Sequence, residues 1–210
     1  MNSKRLLPVF LLAVITFSGC ASMNSDECMT SDWHAIGFED GSRGYSADRL
    51  GNHRKACAKH GITPDFTAYH DGREQGLEQF CRPSRGFSLG SNGGSYNGVC
   101  ADHREGDFID AFNSGHHLYS LRSRVNSANN QISYKQRELK ENEDEMVAKE
   151  AALISADTTM EDRIRILAEL KNLSEDNGQL DAEIIHLIED RAKHEQELAN
   201  YQAILANSGY

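Results

Sequence analysis

The chain has 210 residues and carries 22 lysines and arginines against 32 aspartates and glutamates, a formal net charge of -10. A chain this acidic is a poor partner for nucleic acid or for bare anionic lipid, and we expect no nucleic-acid binding. Hydrophobic residues make up 39% and aromatic residues 8%, a composition typical of long exposed helices or a small cross-linked domain rather than one wide core. The length excludes a large multidomain enzyme.

The N-terminus has the features of an export signal. Lys4 and Arg5 give a positive start, and the apolar run over 6–17 is about a dozen residues long. Because a membrane-spanning helix needs about 20 apolar residues, we predict a signal peptide of the lipoprotein type over 1–19. Its removal with both basic residues changes the net charge from -10 to -12.

The end of this leader resembles the lipobox of bacterial lipoproteins, in which small residues precede a cysteine that becomes acylated. Here the tetrad is Phe-Ser-Gly-Cys, with Phe17 in place of the usual leucine and Cys20 as the lipid site. Three acyl chains would anchor the protein permanently, with 20–27 as a lipidated linker. The next two residues, Ala and Ser, resemble the outer-membrane sorting signal, so we expect a lipid-anchored outer-membrane protein that faces the periplasm. The alternative is ordinary cleavage and a soluble product.

Four further cysteines predict two disulfides, because an exported chain meets an oxidising compartment. They are Cys28, Cys57, Cys81 and Cys100. We predict helices over 32–43 and 47–60, whose antiparallel packing would bring Cys28 next to Cys57. Cys81 would close a third helix and Cys100 would open a fourth, with 82–99 as a loop tied at its neck. The alternative, a zinc site, would favour closer pairs such as CxxC.

Glycine marks a repeated pattern between Cys28 and His117, where 14 glycines occur. The form aromatic, any residue, Asp or Ser, Gly recurs at 38–41, 69–72 and 112–115, and it predicts three related helical units. Thr63 and Pro64 are start signals for a helix from Pro64 to about Phe80. Glycines on the aromatic face of this helix indicate close backbone contact, since glycine otherwise costs a helix about 1 kcal/mol. The alternative is that they kink or end the helices.

Residues 28–120 resemble an uncharacterised family of bacterial lipoproteins, a domain of unknown function (2799). The resemblance rests on Gly37 to Gly41, on 69–77 with the following Phe80 and Cys81, and on 94–100. It implies an envelope lipoprotein and supplies no activity.

From residue 118 onward, the composition is that of long helices. Apolar residues recur every seven positions at Leu118, Val125, Ile132, Leu139, Met146 and Leu153, and a second seam in another phase runs from Leu170 to Leu205. The phase breaks near 155–159, where Thr158 and Glu161 form a capping-box pattern. We therefore predict an antiparallel helical hairpin, a coiled coil over 118–206. The alternative is one continuous rod that oligomerises.

No spacing in the chain is diagnostic of catalysis or of metal binding. Tyr69, His70 and Asp71 are the best candidates for a ligand contact, and 86–98 is expected to be a mobile loop. We predict no catalytic residues, no metal site and no cofactor.

The sequence thus predicts a mainly α protein: a small disulfide-linked, glycine-rich helical domain over 28–117, followed by the long hairpin. The expected function is that of a non-enzymatic structural or interaction lipoprotein, bound to the membrane through acyl chains and to an envelope protein through the coiled coil. The alternative is a small-ligand or metal-binding module, or an enzyme, built in the His- and Asp-rich N-terminal domain.

Overall fold

The structure is a computed structural model that describes residues 23–208, so the predicted signal peptide and the lipid site Cys20 lie outside the described residues. Within that range the chain is helical and has no strand. The helices are α1 Ser25–Thr30, α2 Trp33–Ser42, α3 Asp48–Ala58, α4 Phe66–Phe80, α5 Pro83–Ser91, α6 Asp102–Ile154 and α7 Met160–Ser208. The predicted fold class is confirmed. In the part of the chain described, none of these helices is long and apolar enough to cross a bilayer.

Helices α2 and α4 lie side by side and run parallel, with their backbones in close approach at glycine. A Cβ added to Gly37 would stand 2.0 Å from the carbonyl oxygen of Tyr69. One turn later, a Cβ on Gly41 would stand 2.2 Å from the carbonyl oxygen of Arg73. From the other side, Gly76 faces the carbonyl oxygen of Phe38. The predicted close packing of glycine faces is therefore confirmed, and we call this pair the first unit.

Helices α5 and α6 repeat the same arrangement and form the second unit. Gly86 and Gly90 of α5 face the carbonyl oxygens of Phe108 and Phe112, as Gly37 and Gly41 of α2 face those of α4. Gly115 of α6 faces the carbonyl oxygen of Phe87. The N-terminal domain is thus an internally duplicated pair of parallel helices.

The turn after the first helix of each unit is equivalent as well. Gly44, with φ of +71°, lies against the ring of Phe80, and Gly93, with φ of +72°, lies against the ring of Tyr119. A side chain at either glycine would meet both a strained backbone and an aromatic ring. These two contacts fix the alignment of the two units.

This alignment corrects the predicted set of three related units. The motif over 112–115 was matched to 69–72, but Gly115 occupies the place of Gly76, and Ala111 occupies the place of Gly72. The sequence pattern did not identify α5, and it aligned α6 with α4 one helical turn out of place. The error arises because residues about four positions apart lie on the same face of a helix, so either alignment puts glycine on the packing face.

The two disulfides join Cys28 to Cys57 and Cys81 to Cys100, as predicted, with Cα atoms 5.6 Å apart in each. The physical reason differs from the one expected. Helix α2 packs mainly on α4 and not on α3. Each disulfide links the segment before the first helix of a unit to the segment before the second. It therefore holds together the amino-terminal ends of a parallel pair.

The segment over 82–99 is not the loop that was predicted, because it contains α5. Pro83 occupies the first turn of this helix, where its missing N–H costs nothing. Gly86 and Gly90 are buried against α6. Two of the glycines that suggested a mobile loop over 86–98 thus form the packing face of a helix, and Gly93, Gly94 and Gly98 lie in the segment that follows it.

Two helices are capped by residues other than the predicted ones. Helix α4 begins after Asp65, whose carboxylate accepts a hydrogen bond from the Ala68 N–H at 3.0 Å, so the cap is not Thr63. At α7 the hydroxyl of Thr159, rather than that of Thr158, accepts from the N–H of Asp162 at 3.1 Å. Both segments offer several capping residues in a row, and sequence alone did not choose between them.

Helices α6 and α7 form the antiparallel hairpin, which we call the arm. Buried side chains line its seam at Leu118, Leu121, Ala128 and Ile132 on α6 and at Ile166, Leu180, Ile184 and Leu205 on α7. Polar pairs interrupt the seam, among them the Asn142 amide donating to Asn177 at 2.9 Å and Lys149 with Glu169 at 2.6 Å. Because α6 belongs to both the second unit and the arm, no linker separates the two.

Glycine substitutions test the helix pairing. We expect Gly41→Ala to lower the free energy of unfolding by about 2 to 3 kcal/mol, because the new methyl group overlaps the α4 backbone. Gly51→Ala and Gly178→Ala are matched controls, since an added Cβ there meets nothing within 4 Å. The two control substitutions should raise the free energy of unfolding by about 0.5 to 1 kcal/mol. Urea unfolding measures both, and equal effects at the three sites would contradict the close contact.

Candidate functional site

The three predicted ligand-contact residues do not face one site. Tyr69, His70 and Asp71 are consecutive on α4, so their side chains point in different directions. Tyr69 is 1% exposed, whereas His70 and Asp71 are exposed to solvent. Only Tyr69 belongs to a buried polar cluster.

That cluster, which we call the Asp40 centre, consists of Asp40, His53, Tyr69 and Arg49. The Tyr69 hydroxyl donates to Oδ2 of Asp40 at 2.9 Å, and Nε2 of His53 lies 2.9 Å from the same oxygen. Nε of Arg49 lies 3.6 Å from Oδ1. Asp40 itself is 6% exposed. A carboxylate buried to this degree needs such partners, because desolvation disfavours its charge.

Local sequence places each member of the centre. Asp40 lies between Gly37 and Gly41 on the face of α2 that packs against α4, so its side chain is directed into the domain. Arg49 and His53 are one turn apart on α3 and approach from the other side. The edge of the His53 ring meets the Tyr69 ring at a centroid distance of 6.0 Å.

The electrostatics of the centre fix its protonation. Burial alone would raise the pKa of the Asp40 carboxyl, but the hydrogen bonds with His53 and Tyr69, with the nearby charge of Arg49, hold that pKa below its usual range. Burial and the adjacent Asp40 carboxylate raise the pKa of Tyr69 well above its usual value. At neutral pH the carboxylate therefore accepts and the phenol donates.

Two further contacts brace the same end of the first unit. The Arg73 guanidinium is buried and donates to the carbonyl oxygen of Tyr45 at 3.1 Å. The guanidinium of Arg49 lies 4.7 Å from the centre of the Tyr45 ring. The polar cluster thus ties α3 and the turn after α2 onto α4.

The second unit shows what the same fold looks like without this centre. Leu89 occupies the place of Asp40, Phe108 that of Tyr69 and Phe112 that of Arg73. Phe108 is fully buried there, with Leu89 and Phe112 packed against its cluster. No helix equivalent to α3 lies between α5 and α6. The polar centre is therefore a property of the first unit and not a requirement of the helix pair.

Sequence reasoning missed the Asp40–His53 contact. One signal was available, since Asp40 interrupts a glycine face that is otherwise buried. His53 carried no signal, because α3 lacks a strong apolar face and its contact with Asp40 spans 13 residues.

A second unusual surface lies at the end of the arm. Five large apolar side chains between residues 147 and 167 are more than half exposed: Val147 66%, Ile154 81%, Met160 75%, Ile164 64% and Leu167 54%. We call them the tip patch. The turn beside them is well fixed, because the Arg163 guanidinium donates to the carbonyl oxygens of Leu153 and Ser155 at 2.7 Å each.

Across residues 23–208, no group of three or more histidines, cysteines, aspartates or glutamates is placed to hold a metal ion.

These features define a helical protein with a duplicated, disulfide-bonded domain and a rigid helical arm. Residues 32–117 match the model of a family described as "Protein of unknown function (DUF2799)". This is the family that the sequence resembles, so that prediction is confirmed by the match. No curated protein and no solved structure matches the chain.

The lowered pKa of Asp40 predicts how stability depends on pH. Its unfolded value is near 3.8, so the native carboxylate stabilises the fold above that pH and loses this contribution as the pH falls through the lower native value. We expect Asp40→Asn to cost about 1.5 to 3 kcal/mol at pH 7, as for hydrogen bonds to a charged group. This difference should shrink as the pH falls below about 4.

The measurement is urea unfolding across this pH range, with Asp71→Asn as the matched control. Asp71 is exposed on α4 and forms no ion pair with any described residue. A cost at Asp40 that does not vary with pH would contradict the proposed charge state.

Proposed function

We propose that the protein is a non-enzymatic lipoprotein of the cell envelope, held at the outer membrane by acyl chains on Cys20 and facing the periplasm. Its domain serves as a base, and its arm reaches away from the membrane and binds another envelope protein. The observation that carries this proposal is the exposed apolar tip patch at the end of a rigid arm.

The rigidity of the arm supports a spacer role. Helix α6 passes unbroken from the second unit into the arm, and from residue 118 to its end at Ile154 it spans about 55 Å at 1.5 Å per residue. The other helix is fixed at the base, where the Tyr201 hydroxyl donates to the carbonyl oxygen of Ser114 at 2.9 Å. The Tyr201 ring also meets His117 at a centroid distance of 4.5 Å.

The position of the tip supports a docking role. Single exposed apolar residues are common on protein surfaces, but clusters of them mark interaction sites. The tip patch is not needed to hold the hairpin together, because the seam residues buried between the helices do that. Its side chains are therefore available to a partner.

The order of contacts along the molecule supports anchoring at the opposite end. Met23, three residues after the lipid site, packs against the core of the first unit. The first unit meets the second through Phe80 and Phe108, whose ring centroids are 5.2 Å apart. The arm follows from the second unit. An acyl anchor on Cys20 would thus join the molecule at the opposite end of this series of contacts from the tip patch.

The Asp40 centre supports a structural rather than a catalytic domain. Its carboxylate is satisfied by groups of the same chain, and the Tyr69 phenol is enclosed. A substrate could reach either group only by displacing side chains that now bury it.

Substitution of the lipid site tests the anchoring. We expect the wild-type protein to sediment with membranes and to carry the added mass of acyl chains. Cys20→Ser should be found in the soluble fraction without that mass. Ser22→Ala, which keeps a small residue beside the site, is the control. Retention of Cys20→Ser in membranes with an unchanged mass would contradict the proposal.

The sorting signal has its own test. Ala21→Asp should leave acylation intact but move the protein from the outer-membrane to the inner-membrane fraction, because it places an aspartate directly after the lipidated residue. Density-gradient separation of the two membranes measures this, with Ala21→Ser as the control. An unchanged distribution would argue against the outer-membrane assignment.

Cross-linking in intact cells tests the docking role. A photoreactive residue in place of Ile154 or Leu167 should give one discrete adduct with another envelope protein. The same residue in place of Ile185, which is similarly exposed on α7 but far from the turn, is the matched control. Adducts of the same size from all three positions would show that the tip has no special role.

A further inference from the structure

We propose that the tip patch binds an amphipathic helix with a basic polar face, supplied by the partner protein. This inference rests on the proposed docking role and names the chemistry of its partner. The apolar side of that helix would cover the tip patch, and its lysines or arginines would lie against acidic residues that flank the patch.

The tip patch lies on one side of the hairpin. On α6, Val147 and Ile154 each follow a seam residue by one position. On α7, Leu167 follows the seam residue Ile166, and Ile164 follows Arg163, which lies seven residues before the seam position Leu170. In an antiparallel pair of helices, the positions just after the seam on both helices fall on the same face, because the two chains rotate in opposite senses when viewed from one end.

A surface built from two adjacent helices is suited to a third helix. Ridges of side chains on the paired helices leave a groove between them, into which a partner helix can pack along its length. The exposed residues of α6 and α7 provide both walls of that groove. Since about two turns separate Val147 from Ile154, a short helical segment would cover the whole patch.

The charges around the patch favour a basic partner. Between residues 140 and 171 there are nine aspartates and glutamates against five lysines and arginines. Each of the five basic side chains is already engaged within the chain: Lys140 with Asp144, Lys149 with Glu145 and Glu169, Arg163 with turn carbonyls, Arg165 with Asp162, and Lys171 with Glu175.

Acidic side chains beside the patch have no such partner. Glu150 lies between Val147 and Ile154 on α6, and Glu161 follows Met160 on α7. Neither forms an ion pair with another residue in the described range 23–208. An unbalanced negative rim around an apolar surface is complementary to an amphipathic helix that carries lysine or arginine.

The same charges argue against two other occupants. A second copy of the chain would bring an identical acidic rim, and like charges across an interface are destabilising. An anionic lipid surface would also repel it. A basic amphipathic helix is complementary to both the shape of the tip patch and the charge around it.

The test uses the unacylated mature chain carrying Cys20→Ser, which keeps all the described residues and stays in solution. The probe is a fluorescent 18-residue peptide of leucine and lysine, about five helical turns, with its leucines on one face. Its twin carries glutamate in place of lysine. Fluorescence anisotropy measures both affinities, and we expect the lysine peptide to bind at least about tenfold more tightly than its twin.

Variants locate the binding surface. Ile154→Ser with Ile164→Ser should weaken binding of the lysine peptide by about tenfold or more, as expected for central apolar contacts. Ile185→Ser with Ile188→Ser removes exposed apolar residues of α7 that lie away from the tip. This control should change the affinity for the lysine peptide by less than about twofold. Glu150→Gln with Glu161→Gln should weaken binding and flatten its dependence on salt.

Several results would overturn the inference. These are equal binding of the two peptides, equal loss in the tip and control variants, a tip-dependent dimer in sedimentation, or tip-dependent binding to anionic vesicles. Thermal unfolding confirms that each variant is folded. Because no acyl chain is involved, failure of membrane anchoring leaves this measurement unaffected. Specific cross-links in cells without binding of the lysine peptide would keep the docking role and reject the basic helix.

Discussion

The close approach of paired helix backbones at glycine is the constraint on which the domain depends. At Gly37, Gly76, Gly90 and Gly115, an added Cβ would stand only 2.0 to 2.2 Å from a carbonyl oxygen of the neighbouring helix. Any side chain there would force the helices apart and expose the cores that they cover. Since each glycine costs its helix about 1 kcal/mol relative to alanine, the pairs need support from elsewhere. One disulfide at the amino-terminal end of each pair offsets part of that cost.

The same packing determines how the arm is held. Helix α6 is the second helix of the second unit over its first turns and one side of the coiled coil thereafter, so its direction is set by Gly86, Gly90 and Gly115. Along the arm, the Asn142–Asn177 amide pair and the Lys149–Glu169 ion pair interrupt the apolar seam. Such polar layers weaken a coiled coil but select one register, because a shifted register would leave buried polar groups without partners. The result is an arm with one register, whose tip lies at the end opposite its base.

The duplicated units show how one skeleton can carry different interiors. In the second unit, Leu89, Phe108 and Phe112 form an apolar core, whereas the first unit places Asp40, Tyr69 and Arg73 at the equivalent positions. The first unit also gains α3, which brings Arg49 and His53 to the carboxylate. The polar residues and the extra helix belong together, because without α3 the buried carboxylate would lose most of its partners. This cluster therefore attaches α3 to the first unit, and the tip patch stays exposed at the end of the arm.

The sequence by itself determined the helical class and the hairpin, because heptad spacing and a break in its phase are local features. It also predicted the two disulfides, although the packing of α2 on α3 from which the first was inferred does not occur. It also showed that glycines form a packing face. Only the tertiary structure decided that α2 pairs with α4 and that α5 is a helix, because glycine faces look alike and do not name their partners. The candidate site, too, was predicted only in part from the sequence. Tyr69 was identified from its motif. Its contact with Asp40, and the contact between Asp40 and His53, join three separate helices and were not predicted. A periodic pattern shows which side of a helix is buried, and only packing shows what that side meets.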